Sequence, residues 1–163
     1  MSTEILRIVS VDPGVTTGIA VHEVMVGHVN PFWRTEELGP DKHHLLLWQL
    51  LCNVLPDVIV CERFEYRNVK HRGTEMPGIR LESREYIGVC KLYSQMFPHC
   101  LLAMSVTANK GPKALWSPDK LKALGLYRAP GGRQHMNDAT AHALHYITEK
   151  YGRKDYFDKL RHA

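Results

Sequence analysis

The sequence lacks a continuous apolar run of the length that a membrane helix requires. Its longest apolar stretch, residues 45–55, is interrupted by Gln49 and Asn53, whereas a membrane span needs about 20 apolar residues. The first residues, MSTEILRIV, include Glu4 and Arg7 and show neither a long apolar run nor a small-residue cleavage site. We therefore expect a protein that is neither inserted in a membrane nor secreted, and that is cytoplasmic.

Paired cysteines at metal-binding spacing are also absent. The four cysteines, Cys52, Cys61, Cys90 and Cys100, are far apart and form no C-x-x-C motif. Three of them lie in apolar surroundings, which is typical of reduced, buried thiols and not of zinc ligands or disulfides. The sequence has no G-x-S-x-G motif and no Cys-His elbow, so nothing in it indicates a protein nucleophile.

Low-complexity sequence and internal repeats are missing too, and what is present indicates a folded domain. The chain has 163 residues, of which 44% are hydrophobic and 23% charged, and this length suits one domain with a substantial core. Lys and Arg number 21 against 17 Asp and Glu, a formal net charge of +4. Such mild basicity permits a nucleic-acid partner without proving one.

Glycine and proline divide the chain into strand and helix patterns. The predicted order is strands over residues 5–12, 18–26 and 28–38, a helix from residue 40 that ends before Pro56, a strand at 57–61, a helix at 79–97, a strand at 100–106, a short helix at 117–125 and a last helix at about 134–151. Residues 66–78 and 107–116 are predicted loops. This order favours an α/β fold with a mixed five-stranded sheet flanked by helices. One domain would span residues 1–151, followed by a basic tail at 152–163.

Three acidic residues stand where strands and a helix would bring carboxylates together. Asp12 ends a strand in VSVDPGVTTGIAV, Glu62 completes DVIVCE, and Asp138 lies in the first turn of the last helix. A carboxylate that closes an apolar strand must reach solvent or bind a cation, because burying it unpaired is costly. Hard oxygen ligands in this arrangement suit Mg²⁺ or Mn²⁺. Two such ions about 3.5–4 Å apart can activate a water and stabilise a leaving 3′-oxygen.

Two of these acids also have plainer interpretations. The turn after this strand is expected to present the Asp12 carboxylate unpaired; the alternative is that Asp12 caps its own turn. The D-x-G string also fits the phosphate loop of actin-like ATPases. Glu62 could form an ion pair with Arg63 or Arg67. Glu65 is a weaker candidate, because it lies outside the predicted strand.

A stripe of titratable residues runs along the last helix. At about 100° per residue, His135, Asp138, His142 and His145 share one face of this helix. His135 can reach the same metal or leaving group as Asp138. The alternative is an amphipathic helix with a solvated, histidine-rich edge, which we prefer for His145 and leave open for His142.

These motifs resemble, in type and order, the RuvC-type Holliday junction resolvases of the RNase H-like superfamily. The resemblance rests on V-D-P-G-x-x-x-G-x-A at residues 11–20, I-V-C-E at 59–62 and H-x-x-D-A-x-A-x-A at 135–143, and covers residues 5–150. It implies that Asp12, Glu62 and Asp138 are metal ligands and that His135 completes the catalytic site. It also implies Mg²⁺ as cofactor, replaceable by Mn²⁺, with two ions per site.

The resemblance further implies a surface that binds DNA phosphates. Lys110, Lys113 and Lys120 match the family's basic segment before the final helix, although they could be ordinary solvated lysines. The long segment after Glu62 departs from the family pattern, and an aromatic there could wedge into an opened junction or stack on its bases. The candidates in this segment are Arg63, Phe64, Tyr66, Arg67, Lys70, His71 and Arg72, with Phe64 or Tyr66 as the wedge.

The expected activity is therefore metal-dependent cleavage of branched DNA. A resolvase of this type would act on Holliday junctions as a homodimer, nicking two symmetric strands in recombination and repair. Alternatives are an RNase H-like nuclease for forks, flaps, RNA or packaged DNA, and a non-catalytic nucleic-acid-binding relative. An actin-like ATPase would need two domains around its nucleotide, which this length cannot supply. Compactness and divergence suggest a phage source.

Overall fold

The computed structural model describes residues 5–25, 28–39, 43–63, 82–106, 111–128 and 134–152. Five strands and five helices occur in these ranges. In chain order they are β1 (Ile5–Asp12), β2 (Thr17–Met25), β3 (His28–Leu38), α1 (His43–Val54), β4 (Val58–Glu62), α2 (Glu82–Met96), β5 (Leu101–Ser105), α3 (Pro112–Leu115), α4 (Pro118–Ala123) and α5 (Gln134–Tyr151).

The strands form one mixed sheet in the order β3-β2-β1-β4-β5. β2 is antiparallel to both β1 and β3, whereas β4 is parallel to both β1 and β5. The carboxyl ends of the three parallel strands therefore lie at the same edge of the sheet, where β1 ends with Asp12, β4 with Glu62 and β5 with Ser105. The predicted mixed five-stranded sheet flanked by helices is confirmed.

Alternate side chains of each strand point to opposite faces of the sheet, and each face has its own helical cover. Val9 and Val11 of β1 belong to a buried cluster that includes residues of α1 and α2. Ile8 belongs to a second cluster with Leu144 and other residues of α4 and α5. The protein thus has three layers, and α5 covers the face opposite α1 and α2.

The first turn of α5 lies unusually close to the sheet. A Cβ atom added at Gly18 of β2 would lie 1.9 Å from the carbonyl oxygen of His135. Only glycine fits at such a separation. Further along the same helix, Ala139 and Ala143 are fully buried, and their small side chains let the helix axis approach the strands. The sequence therefore brings α5 directly over β1 and β2.

Several predicted boundaries need correction. Residues 112–115 form the helix α3 inside the segment 107–116 that was expected to be a loop, because Pro112 starts a single helical turn ahead of Trp116. The second long helix ends at Met96 instead of residue 97, and β5 covers Leu101–Ser105 instead of residues 100–106. Glu62 belongs to β4 itself, as its last residue.

The cysteine prediction is confirmed, since all four are free thiols and three are buried. No helix among the described residues is long and apolar enough to cross a lipid bilayer. The whole predicted loop at 66–78, residues 79–81 at the start of the predicted helix 79–97, and the tail from residue 153 lie outside the described residues.

Candidate metal centre

The sheet edge and one face of α5 bring four predicted site residues together. Asp12, His135 and Asp138 place ligand atoms within 4.8 Å of one another, and so do Asp12, Glu62 and His142. We call these two sets the first triad and the second triad. Asp12 belongs to both, so the cluster consists of two groups of potential ligands joined at one carboxylate.

Asp12 is held at the centre of this cluster by the turn that follows β1. The Thr17 hydroxyl donates to the carbonyl of Gly14 at 3.1 Å, which closes the turn. The Ser83 hydroxyl donates to the carbonyl of Pro13 at 2.9 Å, which ties the turn to α2. The turn is thus held by groups other than the Asp12 carboxylate, which remains directed at the cluster.

The Asp12 carboxylate is buried and paired, contrary to the expectation that it would be presented unpaired. Its Oδ2 accepts a hydrogen bond of 2.8 Å from Nδ1 of His135. Burial is the main reason that the pKa of Asp12 rises from its usual 3.8 to about 7; the His135 hydrogen bond opposes this rise, while a hydrogen bond to Glu62 and the charges of Glu62 and Asp138 add to it. The site therefore favours a cation, or a proton in its place.

The pKa of His135 is also shifted by its contact with Asp12. Its hydrogen bond to Asp12 raises the pKa of its imidazole, although partial burial opposes the rise. The ring is 41% exposed, so one side of it faces Asp12 while the ring remains open to solvent. Asp12 and His135 thus form a hydrogen-bonded pair on the partly exposed side of the first triad.

Glu62 contacts His142, which the sequence left unassigned. The His142 side chain is fully buried, and its Nε2 lies 3.2 Å from Oε2 of Glu62. Its Nδ1 lies 2.8 Å from the hydroxyl oxygen of Ser105, whose backbone pairs with Glu62 across the β4–β5 ladder. Ser105 was missed altogether, because an isolated serine at a strand end carries no signal until the strand order is known.

The remaining histidine of the stripe lies outside both triads. Nδ1 of His145 pairs with Glu149 at 3.4 Å, and the His145 side chain is 17% exposed. Its ring also packs close to the backbone of Gly111. His145 is therefore partly exposed, at the edge of α5 where the sequence predicts a solvated stripe.

One predicted DNA-contacting lysine lies at the cluster. Nζ of Lys113 is 2.6 Å from Oδ2 of Asp138, because α3 packs against α5. Lys120 instead donates to the carbonyl of Leu115, and Arg63 is exposed directly after Glu62. The other predicted contacts lie outside the described residues: Phe64, Tyr66, Arg67, Lys70, His71, Arg72 and Lys110.

The donor set fits divalent cations that prefer oxygen ligands. Asp12, Glu62 and Asp138 offer carboxylates, and each triad adds one imidazole. Carboxylates in a partly buried cluster repel one another unless a cation or a proton offsets their charge. Carboxylate suits Mg²⁺ and Mn²⁺, whereas imidazole suits the transition metals. These residues could hold Mg²⁺ or Mn²⁺ in either triad.

Comparison with known proteins places the fold. No protein-family model and no curated protein matches the sequence. Among solved structures, Thermus thermophilus RuvC in complex with a Holliday junction substrate superimposes with a TM-score of 0.61 at 17% identity, covering 90% of this chain and 97% of that one.

Two further resolvases share the fold. The yeast mitochondrial Holliday junction resolvase Ydc2 gives a TM-score of 0.60 at 12% identity, over 96% of this chain and 81% of that one. The fowlpox virus Holliday junction resolvase gives 0.54 at 12% identity, over 88% and 99%. The chain has the fold of the RuvC-like Holliday junction resolvases.

Proposed function

From a resolvase fold with a carboxylate and histidine cluster at its sheet edge, we propose that the chain is a metal-dependent, structure-selective DNA endonuclease. It hydrolyses phosphodiester bonds in branched DNA, and its main substrate is the Holliday junction, cut by paired nicks in recombination and repair. The observation that carries the proposal is the buried Asp12 carboxylate, which belongs to both triads at once.

The carboxylates hold the ions in this proposal. Asp12 and Asp138 bind in the first triad, and Asp12 and Glu62 in the second. Mg²⁺ or Mn²⁺, with two ions per site, would supply charge stabilisation at the phosphate and would make a water nucleophilic at neutral pH. Asp12 belongs to both triads, so it would contribute to holding both ions.

Two side chains, His135 and Lys113, would donate a proton and supply positive charge near the reacting phosphate. His135 is partly exposed and its Nδ1 lies 2.8 Å from Oδ2 of Asp12, so its imidazolium could donate a proton to the departing 3′-oxygen. Lys113 neutralises Asp138 at 2.6 Å. Asp138 would hold a cation in the first triad, and the neighbouring Lys113 ammonium would supply positive charge for the phosphate of the DNA strand.

DNA would be bound by the basic residues around this cluster. Arg63 follows Glu62 directly, and Lys113 and Lys120 belong to α3 and α4 beside α5. Lysine and arginine contacts to phosphates position DNA without reading its sequence. A homodimer would present two such sites to the two symmetric strands of a junction.

The competing proposals are a nuclease for another nucleic acid and a binding protein without activity. A pure binder has no use for three carboxylates that face the phosphates it must attract. Forks, flaps, linear duplex and RNA are therefore the more serious competitors, and a substrate panel separates them from the four-way junction.

The test measures cleavage and binding separately. Labelled junction, fork, flap, duplex and RNA substrates are incubated with wild type, Asp12→Asn, Glu62→Gln and Asp138→Asn, with Mg²⁺ or Mn²⁺. We expect symmetric nicks in the junction by wild type, no cleavage by the variants, and junction binding by all four proteins. Asp119→Asn is the matched control, because Asp119 is 91% exposed and lies outside the cluster.

Cleavage that survives in all three variants would contradict the site. Preferential cleavage of RNA or of unbranched duplex would contradict the substrate.

A further inference from the structure

We infer that His142 is a metal ligand of the second triad and that Ser105 positions its ring. The inference deepens the proposed function, because it rests on the metal site proposed there. It adds a nitrogen ligand to the carboxylates Asp12 and Glu62, and it gives Ser105 a role that its position in the sequence did not suggest.

The first argument is the position of His142 in α5. It lies one helical turn after Asp138, so both side chains project from the same face of the helix. Asp138 and His135 serve the first triad, and His142 reaches the second triad, formed where β1 and β4 end. One helix therefore supplies a residue to each side of Asp12, and each triad contains one imidazole.

The second argument is burial. The His142 side chain has no exposed surface, whereas its carboxylate neighbour Glu62 is 20% exposed. A leucine or isoleucine would fill this space in the helix without the cost of burying polar atoms. An imidazole with both nitrogens directed at polar partners indicates that its polar atoms are used.

The third argument is the partner on the other ring nitrogen. A metal-ligating histidine usually donates its second N–H to an oxygen that fixes the ring orientation. Here Nδ1 faces the Ser105 hydroxyl at 2.8 Å. The Ser105 hydroxyl can in turn donate to the carbonyl of Val106, which lies 3.4 Å away.

A hydroxyl suits both states of the site, since it can donate or accept. Without metal, Ser105 donates to Nδ1 and the Nε2–H of His142 donates to Glu62. With metal, Nδ1 carries the hydrogen and donates to Ser105, so the lone pair of Nε2 is available for the cation. The proton moves from one ring nitrogen to the other, and neither arrangement leaves a buried donor without an acceptor.

The ligand set has a consequence for metal choice. Carboxylates suit Mg²⁺, whereas imidazole binds first-row transition metals better. The second triad should therefore favour Mn²⁺ over Mg²⁺ more strongly than a site made only of carboxylates.

The test uses Mn²⁺ alone, bound to the full chain without DNA, and reads nitrogen ligation directly by pulsed electron paramagnetic resonance. His135→Asn removes the imidazole of the first triad. We expect Mn²⁺ bound to this variant to retain a ¹⁴N coupling from a histidine, and we expect the coupling to disappear in His135→Asn/His142→Phe. Bound Mn²⁺ that shows no nitrogen coupling in His135→Asn would overturn the inference. Because His142 is intact in this variant, a folding defect caused by its replacement could not explain that result.

Affinity provides the second measurement. By calorimetry, His142→Phe should weaken Mn²⁺ binding at least about tenfold and Mg²⁺ binding less, and Ser105→Ala should weaken Mn²⁺ binding by about 10- to 100-fold, as for other orienting partners of metal ligands. His145→Phe is the matched control and should bind Mn²⁺ as wild type does. Unchanged Mn²⁺ affinity in a folded His142→Phe protein, checked by circular dichroism, would also overturn the inference.

The two proposals fail separately. Junction cleavage by a protein whose bound Mn²⁺ shows no histidine nitrogen would leave the nuclease intact and remove His142 from the ligands. Mn²⁺ ligated by a histidine nitrogen in a protein that cleaves no nucleic acid would keep His142 among the metal ligands and contradict the proposed nuclease activity.

Discussion

Replacing Asp12 by asparagine should stabilise the metal-free protein while removing the proposed metal site. Asparagine has nearly the same shape and still accepts the hydrogen bond from His135, but it carries no charge. In wild type, burial and the acidic neighbours destabilise the ionised carboxylate and raise its pKa from 3.8 to about 7. At pH 8 the folded protein must hold this group ionised, and the variant is relieved of that cost.

The magnitude follows from the pKa. One pKa unit corresponds to about 1.4 kcal/mol, so a rise from 3.8 to about 7 costs the ionised folded state on the order of 4 kcal/mol. Because the folded state holds this proton more tightly than the unfolded chain does, stability is lost as the pH rises from about 4 through about 7. The raised pKa of His135 acts in the same direction, since its contribution is lost as the pH rises through that pKa.

The assay is thermal and urea unfolding in the presence of a chelator, at pH 5 and pH 8. We expect wild type to be the less stable protein at pH 8 by up to about 4 kcal/mol, or about 8–16 °C in Tm for a chain of this size. At pH 5, about 1.2 pH units above the ordinary pKa of 3.8, the difference should fall to about 1.6 kcal/mol. Mg²⁺ or Mn²⁺ at a hundredfold excess over Kd should restore about 2.7 kcal/mol to wild type. The variant should gain much less.

A metal-free Asp12→Asn protein that is less stable than wild type at pH 8 would refute the reasoning. It would mean that the folded protein stabilises the ionised Asp12 carboxylate relative to the unfolded chain. A wild-type stability that does not change between pH 5 and pH 8 would refute it as well. Asp119→Asn, which alters an exposed acid, should change stability by less than about 0.5 kcal/mol at either pH.

Three shorter predictions concern the surroundings of the cluster. Gly18→Ala should destabilise the protein by about 1–3 kcal/mol and abolish cleavage, because the added Cβ overlaps the His135 carbonyl. Gly88→Ala should leave cleavage intact, because its added Cβ would meet no atom within 4 Å beyond its chain neighbours and the backbone of its own helix. Lys113→Met should bind Mn²⁺ at least as tightly as wild type in calorimetry, since a competitor for Asp138 is gone, yet cleave junctions more slowly; weaker Mn²⁺ binding would contradict this role. Junction affinity measured by fluorescence anisotropy should fall steeply with salt, and Lys113→Met should flatten the logarithmic slope by about 0.7–0.9; an unchanged slope would remove this lysine from the DNA contacts.

The fold was largely predictable because its signals are local. Alternating or continuous β-branched runs mark the strands, and glycine and proline mark their ends. The short helix α3 escaped because four residues are too few for a helical period to appear. The acids Asp12 and Glu62 were also found locally, since each ends an apolar strand.

The environment of these acids was not predictable, because it depends on the order of strands in the sheet. Ser105 comes beside Glu62 only because β5 pairs with β4 in parallel. His142 lay on a predicted helix face, but periodicity does not say which strand ends that face meets. Lys113 was identified as a cation, and its contact with Asp138 depends on how α3 packs against α5.

The long sequence separation within the cluster affects how the protein is made. Asp12 and His135 are 123 residues apart, and Glu62 and His142 are 80 apart. A nascent chain that has already released β1 to β5 from the ribosome therefore holds two carboxylates without the residues that complete their ligand sets. For the proposed nuclease, cleavage would therefore have to wait until α5 is synthesised and docked on the sheet, and an unfinished chain would leave DNA uncut.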